Sequence, residues 1–227
     1  THPMDFNILD ANGAPRLAGR FIDLKDTAFT GGEADVLLPY AGELPPIDPH
    51  ISLDWGTVST FYPSLDGKTA YQNGGVAWAT IHDATDAVAT ATGKPYAGPT
   101  VSGWSTTNQW SEINRTPFLF DTSSLGDSDT IDSASFQFYA RSKQDGFAEA
   151  GSIRLVTSAP ASNTALVNGD YDSYGTAGQA PDMTISSITA DSATLSTMTL
   201  NATGEGNIDL AGITKFGLRV DFDADDS

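Results

Sequence analysis

Two stretches of strict alternation between apolar and polar residues constrain the fold most strongly. In residues 133–140, Phe136 and Phe138 share one side with two alanines, and serine, glutamine and tyrosine side chains occupy the other side. Residues 215–222 repeat the pattern, with Phe216 and Leu218 on the apolar side. A period of two over eight residues predicts a strand with one buried face and one wet face, which is typical of antiparallel sandwiches.

Further strands are predicted where β-branched and aromatic residues run between turn clusters. The runs cover residues 57–62, 75–81, 116–120, 152–157, 183–188 and 193–201, and residues 84–92 are predicted as a loop that leads into a strand. We expect the first of these strands to stop at Pro63. The sequence contains no long helical pattern and no tandem repeat. It therefore predicts an all-β protein, an antiparallel β-sandwich of the jelly-roll type, over residues 51–227.

Residues 1–50 differ from the rest of the chain. Short apolar pieces alternate there with glycine turns, and three prolines fall within five residues of the segment 42–50. Proline lacks an amide donor and holds the chain extended. We predict an N-terminal arm that docks on a neighbouring molecule, joined to the sandwich by the linker 42–50. The alternative is that residues 1–50 provide the first strands of the main domain.

The acidic balance of the chain restricts its partners. The formal net charge is −18, and 24 of the 29 acids are aspartates. Such a surface repels phosphate backbones and anionic lipids, so we expect no binding to nucleic acid or to a membrane surface. No apolar run approaches 18 residues, so we also expect no membrane insertion. Surface aspartate also keeps a protein soluble at high local concentration, as in a densely packed assembly. Cysteine is absent, which excludes disulfides and thiol nucleophiles.

Catalytic sets have little support in the sequence. His82 is the histidine best placed for a site, because Asp83 and Asp86 lie beside it, but a surface or turn histidine is the simpler interpretation. Glu112 and Glu149 are the candidates for the paired carboxylates of a glycosidase. No G-x-S-x-G segment is present. We therefore expect a protein without enzymatic activity, with a polysaccharide lyase or hydrolase as a weaker alternative.

Clusters of aspartate make structural calcium the most reasonable cofactor, because carboxylates and carbonyls are its ligands. The first candidate pair is Asp170 and Asp172, two residues apart and followed by Gly175. A second cluster comprises Asp221, Asp223, Asp225 and Asp226. The alternative is that these acids are solvated groups at turns.

Four aromatic residues in or beside loops are candidates for stacking on sugar rings: Trp104, Trp110, Tyr171 and Tyr174. Exposed rings bind pyranose faces through apolar burial. For Trp110 and Tyr171, packing in the core is the competing interpretation.

The segment 110–143 carries a recognisable motif. Its residues are Arg115, Phe118, Phe120, Asp121, Ser123, Ser124, Leu125, Ile131, Ser133, Ala134, Phe136 and Tyr139. In this arrangement the segment resembles the central motif of the jelly-roll domains called DNRLRE or disaggregatase-related, with Gly126 where proline is usual. Further pieces downstream are similar to a narrower branch found in tailed-phage and metagenomic proteins of unassigned role.

The resemblance implies the jelly-roll fold. Together with the acidity, the missing catalytic set and the predicted arm, the similarity to phage proteins leads us to expect a structural protein on the outside of a particle, such as a virion decoration, head-fibre or tail-associated protein, located on the virion or outside the cell. Partners would be further copies of the chain and the particle surface, formed by capsid or tail proteins. The alternative is a carbohydrate-binding module of an extracellular polysaccharide-active system, whose partner would be a glycan.

Overall fold

The computed structural model describes residues 58–93, 97–146 and 150–226, and the backbone of residues 5–9 and 15–20. The chain divides into two compact units, Thr1–Ser59 and Thr60–Ser227. The linker predicted at 42–50 and the candidate acid Glu149 lie outside the described residues.

In the first unit the described segments form one hairpin. Strand β1 spans Asp5–Leu9 and strand β2 spans Pro15–Arg20. They pair antiparallel, with an irregularity in the register between Ile8 and Leu9.

The second unit is an antiparallel all-β structure, as the sequence predicts. Its strands are β3 (Pro63–Val76), β4 (Ala89–Thr92), β5 (Thr100–Gly103), β6 (Trp110–Asp121), β7 (Ser135–Tyr139), β8 (Ser152–Thr157), β9 (Met183–Thr184), β10 (Leu195–Thr199) and β11 (Ile213–Val220). Seven of them form one sheet in the order β4-β3-β6-β11-β8-β9, with β5 paired to the first half of β6. Strands β7 and β10 form a second, two-stranded sheet.

The helices are short and lie at the ends of strands. They are α1 (Trp78–His82), α2 (Ala202–Gly206) and α3 (Asp221–Asp225), with 3-10 turns at Asn168–Asp172 and Ile185–Ser187. Within the described residues, none of these helices has the length or the apolar character needed to cross a membrane.

The main core lies between the two sheets. Phe136 of β7 and Met198 of β10 pack against Leu155 of β8 and Leu218 of β11. The ring of Phe136 meets the ring of Phe118 edge-on, with centroids 5.2 Å apart. The predicted alternation of β7 is confirmed, because Phe136 is buried whereas its neighbours Ser135 and Gln137 are exposed.

A second core lies on the opposite face of the large sheet. Helix α1 contributes Ile81, β6 contributes Ile113, and the 3-10 turn Asn168–Asp172 contributes Tyr171. Leu119 also faces this side, in a small cluster with Leu65 and Leu166. The large sheet is therefore covered on both faces.

Three predicted strand boundaries are wrong. The strand predicted at 57–62 is not found in its described residues 58–62. Strand β3 begins at Pro63 instead, because the first residue of a strand can do without an amide donor. The strand predicted at 75–81 is replaced by the end of β3 and by α1; Gly75 has a positive φ of 86° at this transition. The strand predicted at 183–188 is only Met183–Thr184, and a 3-10 turn follows it.

The wet face predicted for β11 is also wrong. Gly217 and Arg219 were expected in solvent, but both are buried. The ring of Tyr174 lies so close to Gly217 that a Cβ atom there would be 2.6 Å from the ring. Arg219 is covered by α3, which folds back over the sheet and places Asp223 on the guanidinium. An arginine can be buried in this way only because a counter-charge accompanies it.

Candidate functional site

Three arginines lie side by side on the face of the large sheet that α3 covers. Arg154 of β8 is directly opposite Arg219 of β11. The register of β11 on β6, which pairs Leu218 with Thr116, brings Arg219 level with Arg115. Like charges on neighbouring strands destabilise a sheet. The arrangement therefore requires acids above it.

Asp223 of α3 provides the central counter-charge. Its Oδ1 accepts a hydrogen bond of 2.7 Å from Arg115 Nη2, and its Oδ2 accepts one of 3.0 Å from Arg115 Nε. The same Oδ2 accepts a 2.7 Å bond from Arg219 Nε, and Arg219 Nη2 also donates to the backbone carbonyl of Asp223. Asp223 is fully buried. One carboxylate of α3 thus binds two guanidinium groups of the sheet.

The electrostatics favour the ionised forms of this cluster. Burial alone would raise the pKa of Asp223, but the hydrogen bonds and charges of Arg115 and Arg219 outweigh it and hold that pKa below its ordinary value. Burial opposes the charge of Arg115 as well, and Asp223 outweighs that effect, so the pKa of Arg115 is raised. Removal of one partner from a buried ion pair of this kind strongly destabilises the folded protein.

The remaining donors of Arg115 fasten neighbouring segments. Nη1 donates to the carbonyl of Tyr171 at 2.8 Å, and Nη2 donates to the carbonyl of His82 at 3.0 Å. The guanidinium also lies 4.2 Å from the centroid of the Tyr171 ring, a cation–π contact. One side chain therefore connects the end of α1, the 3-10 turn and α3. Chemically this cluster works as an internal clamp.

Two of the four candidate aromatics lie inside the molecule or nearly so. Tyr171 is fully buried, and its hydroxyl donates to the carbonyl of Ile81 at 2.7 Å. Tyr174 is half-buried, and its hydroxyl lies 3.3 Å from Thr69 Oγ1. Burial raises the pKa of both phenols above the ordinary value. Tyr171 therefore presents no free face for sugar stacking, and only part of Tyr174 reaches solvent.

The two candidate tryptophans differ from each other. Trp110 is half-buried and meets Trp78 edge-on, with ring centroids 4.8 Å apart. Trp104 is 48% exposed in the loop between β5 and β6. Its ring rests on Gly75, where any Cβ atom would come within 2.5 Å of Trp104 Cδ1. Of the four predicted aromatics, Trp104 is thus the one that offers an accessible ring.

The predicted calcium ligands Asp170 and Asp172 do not share one environment. Asp170 is buried, and its carboxylate accepts the backbone amides of Ala161 at 2.7 Å and Val167 at 2.8 Å. Asp172 is exposed. Asp170 therefore stabilises the turn by itself, and calcium at this pair stays a prediction.

The acids of the second predicted cluster are divided among separate partners. Asp221 accepts the amide of Ser152 at 2.9 Å, Asp223 binds two arginines, and Asp225 pairs with Arg154. Asp226 accepts a 2.9 Å bond from the indole nitrogen of Trp78. The sequence placed these acids together because they are adjacent, whereas the helical turn of α3 directs them to different neighbours.

Of the two acids that the sequence places beside His82, only Asp83 contacts it, and Asp226 is a further neighbour. His82 Nδ1 lies 2.6 Å from Asp83 Oδ1 and 3.3 Å from Asp226 Oδ1. Asp86 contacts Thr85 instead. Asp226 is far from His82 in the chain, so no local spacing could reveal their proximity.

Glu112, proposed as one member of a carboxylate pair, lies in an amide network. Its Oε1 accepts hydrogen bonds from Gln72 Nε2 at 2.6 Å and from Asn114 Nδ2 at 2.7 Å. The other proposed member, Glu149, is outside the described residues.

The fold and the clamp together define an all-β sandwich whose most elaborate polar cluster faces inward. No protein-family model, curated protein or solved structure matches the chain. The resemblance to the DNRLRE domains therefore rests on the sequence motif.

Proposed function

We propose that this chain is a non-enzymatic structural protein, displayed on the outside of a particle such as a virion. The observation that carries the proposal is the division of the chain into two compact units, Thr1–Ser59 and Thr60–Ser227. In this proposal the first unit attaches the protein to the particle, and the second unit is the displayed sandwich. The separation allows one unit to bind while the other keeps its own core.

The use of charge in the second unit supports this proposal. The clamp consists of three buried charged residues, Arg115, Arg219 and Asp223. Their hydrogen bonds join them to one another and to backbone carbonyls. Such a cluster connects segments of a scaffold and presents no reactive group at the surface. The net charge of −18 suits a protein that is displayed in many copies, because like-charged surfaces resist aggregation.

Fractionation of particles from the source tests the proposal. Density-gradient centrifugation should place the chain in the particle fraction, detected by mass spectrometry of the separated bands. A chain that lacks residues 1–59 should stay at the top of the gradient when it is added to particles stripped of the native protein, whereas the full chain rebinds. Recovery of the native protein only in the soluble fraction contradicts the proposal.

Carbohydrate binding is the second candidate, and the exposure of Trp104 is the observation that favours it. The ring is 48% exposed and packs against Gly75. Gln109 also lies next to Gly75 and carries an amide that can bond a hydroxyl. An exposed ring beside an amide suits the apolar face and the hydroxyls of a sugar.

A glycan array probed with the full chain separates the two candidates. If the chain is a carbohydrate-binding module, Trp104→Ala should abolish the signal. Tyr139→Ala is the matched control, because Tyr139 is an aromatic residue of β7 that is 61% exposed. Loss of binding in both variants, or in neither, argues against a site at Trp104.

A further inference from the structure

Three side chains of the types that bind metals in proteins meet where α1 and α3 end. They are His82, the last residue of α1, Asp83 next to it, and Asp226, which follows α3. One donor atom from each lies within 4.8 Å of the others. The imidazole of His82 is mostly covered, at 14% exposure, while both carboxylates reach solvent.

The hydrogen bond on the far side of the imidazole fixes which nitrogen is available. His82 Nε2 lies 2.9 Å from the backbone carbonyl oxygen of Asp223, which can only accept. Nε2 must therefore carry a proton and donate it. In the neutral imidazole, Nδ1 is then a bare lone pair. Nδ1 faces the oxygens of Asp83 and Asp226, and these three atoms can lie so close together with either a proton or a metal ion at Nδ1.

We propose that His82 Nδ1, Asp83 and Asp226 form a binding site for a divalent transition-metal cation of the zinc class. An imidazole nitrogen with two carboxylates is a ligand set for zinc and its neighbours, whereas calcium takes oxygen ligands. In a tetrahedral site with bonds of about 2.0–2.1 Å, ligand atoms stand roughly 3.3 Å apart. The distance from Nδ1 to Asp226 Oδ1 is 3.3 Å. Asp83 has to draw back from its 2.6 Å contact, and its exposure leaves it free to do so.

The surroundings hold these ligands in place without the ion. Trp78 stacks on the imidazole, with ring centroids 5.2 Å apart, and its indole N–H donates to Asp226 Oδ1 at 2.9 Å. The carbonyl that orients Nε2 belongs to Asp223, which is itself fixed by Arg115 and Arg219. Outer partners of this kind orient metal ligands and raise affinity. A bound ion would connect α1 directly to the end of α3, next to the clamp.

Isothermal titration of the untagged full chain with zinc, after treatment with a chelator, tests the site. We expect saturable binding of one ion, and a melting temperature that rises with zinc concentration because the ion binds the folded state. His82→Gln and Asp226→Asn should each weaken zinc binding about tenfold or more. Asp86→Asn is the matched control: it removes the same charge close to α1, outside the ligand set, and should bind as the unchanged protein does.

Cobalt provides a second readout that needs no variant. Cobalt bound to the unchanged protein should give the intense visible absorption of a four-coordinate ion, and zinc should displace it. Absence of saturable binding, or binding that survives His82→Gln in a folded variant, overturns the proposal. Absence of binding together with two protonated ring nitrogens in the NMR spectrum of His82 would show that a proton fills the role of the cation.

Discussion

Arg115 and Asp223, 108 residues apart in the chain, are joined by a two-pronged ion pair in the interior of the protein. Arg115 belongs to β6, which lies between β3 and β11 in the large sheet, and Asp223 belongs to α3. The pair therefore attaches α3 to the middle of the sheet. This attachment explains why the last helix is buried on one side although most of its residues are acidic.

Removal of the carboxylate should destabilise the protein severely. Asp223→Asn leaves Arg115 and Arg219 buried without a counter-charge, so we expect a loss of about 3–5 kcal/mol in the free energy of unfolding. Urea denaturation followed by tryptophan fluorescence measures it. Asp225→Asn is the control, because Asp225 pairs with Arg154 near the surface and should cost about 1 kcal/mol or less. Similar losses in the two variants would contradict the clamp.

The same cluster should make stability depend on acid. The pKa of Asp223 is lowered from its ordinary value of 3.8 in the folded state, so the unfolded chain binds the proton more readily. Stability from this group is fully present above about pH 4 and is lost as the pH falls through the folded pKa. Urea midpoints measured from pH 7 to pH 2 should show that the gap between the unchanged protein and Asp223→Asn narrows in acid. A gap that stays constant down to pH 2 argues against the assigned shift.

The packing between the two sheets should be sensitive to side-chain truncation. Phe136→Ala and Leu218→Ala each remove a buried side chain and should cost about 2–5 kcal/mol. Ser135→Ala changes the exposed face of the same strand as Phe136 and should cost under about 0.5 kcal/mol. Equal losses on the two faces, measured by chemical denaturation, would refute the assignment of the faces.

A methyl group at Gly217 should collide with the ring of Tyr174. Gly217→Ala places a Cβ atom 2.6 Å from that ring, and overpacking of this kind costs about 1–3 kcal/mol. The control is Gly103→Ala in β5, because nothing lies within 4 Å of a Cβ atom there. Thermal melting of both variants checks the contact. The double variant Gly217→Ala with Tyr174→Ala should show a coupling between the two sites, since their side chains touch.

The second unit should fold without the first. We expect a chain of residues 60–227 to melt cooperatively at nearly the same temperature as the full chain, because the division between the units falls at Ser59 and Thr60. Circular dichroism at increasing temperature measures this. Unfolding of the shortened chain would show that residues 1–59 belong to the core of the sandwich, which is the alternative that the sequence leaves open.

The sequence predicts best those features that depend on local patterns. The alternation around Phe136 reports directly which face of β7 is buried. Asp121 accepts the amide of Ser123 at 3.1 Å, a local turn of the kind that aspartate favours. The same logic fails for Arg219, since a charged residue in an alternating strand is ordinarily exposed. Only a distant partner, Asp223, reverses that expectation.

The candidate sites illustrate the same limit. The sequence grouped Asp223, Asp225 and Asp226 because they are close in the chain, but their side chains point to different strands and helices. Conversely, His82 and Asp226 are far apart in the chain and are brought together only by the fold. Residue spacing carries no information about such a meeting unless both residues belong to one element.

The central place of β11 has a consequence for how the protein is made. This strand lies between β6 and β8, so residues from the two halves of the large sheet are not joined until residues 213–220 are present. On the ribosome, β3 and β6 can pair early. The backbone groups of β8 that pair with β11 stay unpaired until β11 has emerged. Because pairings across such long stretches of chain form slowly, we expect the nascent sandwich to depend on the emergence of β11. A ribosome stalled before residue 213 should hold a chain that proteases still cut within β8.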